Sequence, residues 1–212
     1  MKRLTGAAAL AFCLFFAVAA PPSYGVERPA VSAQDRQFLD HIGKVFRNVG
    51  DKFGCSELVG ANFVPPQNQE IALEYLPKGD KLQSWTRMVT VTLFTLTGNP
   101  KIDYQIMNKI AGGLLGAFRS RGKITGMQFY HNSKNNEPAA FFQFDMGSGA
   151  SLEHDAGVFL RTGEIAAGFI QVQSRGKPLM PSDIAGLKSL LGPIGHAPAS
   201  AKPADAKPAA HK

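Results

Sequence analysis

The residues best suited to chemistry in this chain are the run Glu153-His154-Asp155 and the more distant His131. Two imidazoles and a carboxylate brought to one point would hold a divalent metal. The spacing argues against this. Neighbouring residues on a strand project to opposite faces, so His154 and both acidic neighbours cannot converge unless the chain turns there. The run is expected to be a solvated loop, and no metal ligand set is assigned. Gly147-Ser148-Gly149-Ala150-Ser151 lacks the G-x-S-x-G spacing of a nucleophile elbow and reads as a polar connection. Paired carboxylates suited to glycoside hydrolysis cannot be singled out among scattered acids.

Cysteine chemistry is equally open. The chain has two cysteines, and Cys13 lies in an apolar segment expected to be removed, which leaves Cys55 without an intramolecular partner. A small buried apolar residue, an intermolecular cross-link and a reactive thiol are the three readings. Lys52 and Glu57 flank it with opposite charges, so the local sequence does not set the thiol pKa. A pairing of Cys55 with His41, His131 or His154 would require the fold to join them. Trp85, the sole tryptophan, is expected to cover one end of the core, with its N–H seeking a partner; ligand stacking is the other reading. His196 and His211 sit in a tail whose ordering around a metal would cost entropy.

These residues need a frame, and the chain supplies one domain's worth of it. Its 212 residues suit a single domain. Met1-Lys2-Arg3, the apolar run Ala7 to Ala20, Pro21-Pro22 and small residues around Tyr24 follow the order of an export signal, with cleavage expected after Gly25. The apolar run is shorter than the ~20 residues a membrane span needs. The mature domain is therefore expected at 26–192, in the periplasm or fully secreted, followed by a flexible Ala/Pro/Lys-rich tail at 193–212. Setting aside the basic start and tail leaves 18 Lys and Arg against 15 Asp and Glu. That dispersed balance argues against a nucleic-acid stripe, although the basic tail suits loose contact with an acidic envelope surface.

Hydrophobic periodicity places the elements. Ser32 to Gly50 reads as a capped helix with Phe38, Ile42, Val45, Phe46 and Val49 on one side. Glu70 to Tyr75 alternates as a strand, and Thr86 to Thr97 is a β-branched strand whose apolar parity switches at Phe94 and Leu96. A bulge or coverage of both faces would explain the switch. Asp103 to Arg121 is the strongest helix, with Ile106, Ile110, Leu114 and Phe118 stepping by four. Its Gly112-Gly113 pair suggests close approach to a sheet. Strands are expected at Ile124 to His131, Ala139 to Met146, Gly157 to Arg161 and Ile165 to Gln173, with a last helix opening at Pro181-Ser182-Asp183. Short polar connections predict antiparallel pairing. The fold class expected is α+β: a mostly antiparallel sheet of five to seven strands with helices packed on its faces, an αβα sandwich.

The block Glu74-Tyr75-Leu76-Pro77-Lys78-Gly79-Asp80, with Trp85-Thr86-Arg87-Met88-Val89-Thr90-Val91, resembles one found in small exported bacterial proteins of undefined activity. The element order is similar to the PsbP-like αβα sandwich. The resemblance implies a helper or scaffold domain in an extracytoplasmic compartment and supplies no catalytic residue. The expectation is an exported binding or assembly module without a cofactor, its partner another envelope protein or a small ligand. The expected contact surface is Trp85, His131, Asn132, Lys134, Asn135 and His154, with the segments Asn132 to Glu137 and Gly147 to Asp155 displayed by the sheet. An exported hydrolase with an unrecognised site and a metal-binding protein are the rivals.

Overall fold

The computed structural model describes residues 32–64, 70–131 and 137–192. The expected signal segment and tail lie outside the described residues. Seven strands form one antiparallel sheet: β1 (Glu57–Val64), β2 (Glu70–Leu76), β3 (Arg87–Thr95), β4 (Gly122–His131), β5 (Pro138–Met146), β6 (Glu153–Gly163) and β7 (Ala166–Arg175). Their spatial order is β1-β2-β3-β7-β6-β5-β4. The helices are α1 (Ala33–Val45), α2 (Arg47–Lys52), α3 (Pro100–Arg121) and α4 (Pro181–Leu190). The expected α+β class with an antiparallel sheet is what forms. α3 is the one long crossover: it carries the chain from β3 to β4 at the far edge of the sheet.

Each face of the sheet has its own core. Leu39 of α1 and Leu187 of α4 pack with Leu73, Tyr75, Val89, Val91, Phe141, Val158, Ile170 and Val172. The apolar stripe of α3 packs with Phe94, Phe142, Phe144, Phe159 and Phe169 on the other face. Phe118 of α3 is the hub of this second core, its ring centroid 3.9 Å from that of Phe144 and 5.5 Å from that of Phe142. Burying a side chain of this size contributes roughly 1.5–3 kcal/mol, so the aromatic layer fixes α3 to the sheet.

α3 begins three residues before the expected start, because Asn99 caps it: the side-chain oxygen accepts from the backbone N–H groups of Lys101 and Ile102 at 3.1 and 3.3 Å. Pro100 occupies the first turn, where its missing N–H costs nothing. The close approach expected of the mid-helix glycines is not found at Gly112, which is exposed and has open space where a Cβ would stand.

Three further expectations are corrected, and the alternative left open for β3 is decided. The first helix breaks at Phe46, and Gly50 lies inside α2 instead of ending it. A Cβ at Gly50 would run into the Cys55 carbonyl and the Tyr75 ring, so the glycine permits close packing of α2 on the sheet. β1 was not expected. A register shift between Leu58 and Gly60 moves its apolar positions from even to odd numbers, which conceals the alternation in sequence. The parity switch in β3 involves no bulge, since the β3–β7 register runs unbroken. Leu93 joins one core and Phe94 the other, so both faces are covered there. Finally, β6 starts at Glu153, not Gly157. Glu153-His154-Asp155 is strand, with Cα partners on β5 and β7, and not a solvated loop.

Candidate functional site

The sheet register separates the two histidines. His131 ends β4 opposite Pro138, whereas His154 pairs with Asp145 at the other end of β5. Seven residues of strand at ~3.3 Å each place them roughly 23 Å apart. The shared metal site of the metal-binding rival is thereby excluded for this pair. Asn132, Lys134 and Asn135 lie outside the described residues. Trp85 is buried, packed with Leu76 and Met88. Its outer side is closed by the Arg175 guanidinium, 4.0 Å from the ring centroid, which leaves no open ring face for stacking on that side. Cys55 is fully buried, and burial pushes its thiol up to about 11 against the opposing pull of Arg87. It behaves as a small apolar residue.

Alternation along β6 sends consecutive side chains to opposite faces, as expected. His154 faces the α4 side, where its Nδ1 lies 2.8 Å from Asp145 Oδ1. Ser174 on β7 is the Cα partner of His154 in the same row. Serine, imidazole and carboxylate thus align across three adjacent strands, an arrangement only the register reveals. No hydrogen bond joins the Ser174 hydroxyl to the ring among the described residues. An activated nucleophile requires that link.

Glu153 and Asp155 take the α3 face. Glu153 is engaged: its Oε1 lies 2.6 Å from a terminal nitrogen of Arg175. Asp155 forms no ion pair among the described residues. It is 2% exposed, and its nearest polar company is the side-chain amide of Gln171, also 2% exposed, which lies beside it without a well-aligned hydrogen bond. Burial holds the Asp155 carboxyl well above the usual carboxylate range, reinforced by the negative charges of Glu153 and Asp145. Gln171 and Arg175 pull it down only in part.

Asp155 is the inner end of a polar strip. Next to it in register stands Gln173, whose Oε1 accepts from Thr90 Oγ1 at 2.8 Å. Thr90 pairs with Glu74, and Thr92 with Ala72. Asn62 of β1 continues this surface opposite Ala72. α3 packs chiefly on β4 and β5, so Asn62, Ala72, Glu74 and Thr90 remain half-exposed. The Glu74 side chain lies across Gly60, where a Cβ would collide with its carboxylate. Burial also raises the pKa of Glu70 at the other end of β2. The α3 face is therefore divided: an aromatic half under the helix, and a half-exposed floor of hydroxyl, amide and carboxylate groups beside it. None of these residues stands out in sequence, because threonine and glutamine in a strand read as its solvent side.

Two buried ion pairs hold this frame. Asp103 at the start of α3 accepts from the Thr97 N–H and hydroxyl at 2.8 Å and from Arg161 at 3.0 Å. Burial alone would raise its pKa, but these bonds carry it below the ordinary value. Arg87 of β3 bridges to Asp183 of α4 and donates to the Phe53 carbonyl at 2.9 Å. Asp183 in turn accepts from the Met180 N–H, fixing the start of α4.

No family model matches the chain, and no curated protein or solved structure matches it.

Proposed function

We propose that the protein is an exported, non-enzymatic binding module that takes a small polar ligand on the half-exposed floor of the α3 face. The observation that carries this reading is the half-exposed strip of amide, carboxylate and hydroxyl groups at Asn62, Glu74 and Thr90, which α3 leaves uncovered because it packs chiefly on β4 and β5. The apolar run Ala7 to Ala20 behind a basic start supports export.

An NMR titration of the protein against a panel of small polar molecules tests the site. Amide shifts are expected to cluster at Asn62, Ala72, Glu74, Thr90 and Gln171. Shifts confined to Gly147–Leu152, or none with any compound, reject it. Periplasmic extraction with N-terminal sequencing tests export; a mature start at Val26 is expected, and an unprocessed chain retained in the cytoplasm rejects it.

One observation favours a second reading, a hydrolase: the row Ser174, His154 and Asp145. It requires turnover of p-nitrophenyl acetate that Ser174→Ala abolishes. Turnover equal in the variant and the parent protein removes it.

A further inference from the structure

The sheet has two edges, β1 and β4, and the fold treats them differently. α1 lies against β1: Arg36 donates to the Ala61 carbonyl at 3.5 Å, and Phe38 stacks on Phe63. No residue from Leu58 to Phe63 is exposed. At the other edge, β4 pairs with β5 alone among the described residues. Lys123, Thr125, Met127 and Gln128 are exposed there, and Ile124, Gly126 and Phe129 are half-buried. A bare edge offers a row of unpaired N–H and C=O groups to another strand, and proteins ordinarily guard one with charge, proline or a bulge. β4 has its lysine and its bulge near the start, at Lys123 and between Ile124 and Gly126. From Gly126 to Tyr130 it holds no charge and no proline, and its register with β5 is unbroken.

We infer that two copies of the chain pair through this edge, β4 against β4, antiparallel about a two-fold axis at Gln128, so that their sheets run on as one. The side chains select a second copy as the occupant and set the register. Met127 and Phe129 stand opposite Phe142 and Ala140 of β5, on the α3 face. Gly126, Gln128 and Tyr130 take the other face. About Gln128, Met127 of each copy falls opposite Phe129 of the other, and Gly126 falls opposite Tyr130. The first pairing covers the 38% exposed Met127 with an aromatic ring, and the second lays a ring over a glycine; both are favourable across paired strands. Antiparallel pairing carries each Lys123 to the far end from its counterpart, whereas a parallel pairing would set the two ammonium groups side by side.

The two-fold axis is normal to the sheet, so each face keeps its own side. α3 packs chiefly on β4 and β5. A strand spacing of ~4.8 Å then brings the two copies of α3 roughly 10 Å apart, close to the separation at which helices pack. The contact thus extends from strand edge to helix flank. It leaves the polar floor open, because Asn62, Glu74 and Thr90 lie on β1, β2 and β3 in the other half of the sheet.

Sedimentation velocity of the protein over a range of concentrations, beside oxidative cross-linking of single-cysteine additions, tests the inference. A monomer–dimer equilibrium is expected. Met127→Lys, at an exposed position, should weaken it roughly tenfold or more with circular dichroism unchanged. Gln128→Cys faces its own counterpart across the axis and should form an intermolecular disulfide readily, whereas Lys123→Cys should not; Cys55 is buried and does not compete. A monomer at every concentration, or a dimer that Met127→Lys leaves equally tight, overturns the inference. Cross-linking no faster at position 128 than at 123 overturns the register about Gln128.

Discussion

The guanidinium of Arg175 lies over the Trp85 ring at 4.0 Å while its terminal nitrogen grips Glu153 at 2.6 Å. One side chain thereby closes the end of the core and neutralises an acid beside Asp155. Trp85 should emit at short wavelength in the native protein and shift red on unfolding. Trp85→Ala should cost about 3–5 kcal/mol in urea unfolding, the usual range for deleting a buried large aromatic. A native emission maximum equal to that of the unfolded chain would show that the ring is not enclosed.

Asp155 and Asp103 should give opposite pH dependences. The Asp155 carboxyl has its folded pKa raised above the unfolded one. Stability is therefore highest below the unfolded value and is lost as pH rises from about 4 through the raised folded pKa. Asp155→Asn removes this slope, so the variant should gain on the parent protein as pH increases. Denaturant midpoints measured from pH 4 to 8 check the sign, and a difference that shrinks over that range contradicts the burial argument.

At Asp103 the folded pKa is lowered. Its contribution is present above the unfolded value of about 4 and disappears as pH falls through the folded pKa. Removing the carboxylate with Asp103→Ala leaves Arg161 partly buried with one fewer counter-charge, and breaking such a pair costs about 3–5 kcal/mol. Urea unfolding at pH 7 measures that loss. The penalty should diminish at acid pH, where the parent carboxylate is itself protonated.

Cys55 should resist labelling. With the thiol fully buried and its pKa near 11, a disulfide reagent at pH 8 meets almost no thiolate. Modification of Cys55, located by mass spectrometry, should be complete in guanidinium and negligible in native buffer. Rapid native labelling would mean that the segment between α2 and β1 opens.

Gly50→Ala should be strongly destabilising although alanine is the better helix former. The added methyl meets the Cys55 carbonyl and the Tyr75 ring. Tyr75 is itself anchored by a 2.8 Å hydrogen bond to the Gly43 carbonyl, so it has little room to yield. A melting temperature unchanged from the parent protein would show that α2 shifts to absorb the methyl.

What the linear sequence determined is the part governed by local period and local chemistry. Ile110, Leu114 and Phe118 announce the buried stripe of α3 by their spacing, and Ala140, Phe142 and Phe144 announce the inner face of β5. Short polar connections between β-branched segments dictate antiparallel neighbours. Where a bulge changed the parity, as in β1, the period vanished and the strand with it. What only the tertiary structure decided is which charges meet. Glu153-His154-Asp155 looks like a solvated run, because three ionisable residues in succession ordinarily seek water. In the fold, Arg175 and Asp145 arrive from the neighbouring strands to partner the first two, and the third is buried beside the Gln171 amide. The polar floor has the same origin: Thr90, Gln171 and Glu74 come from three separate strands, and their meeting is a matter of register, a long-range property that no window along the chain contains.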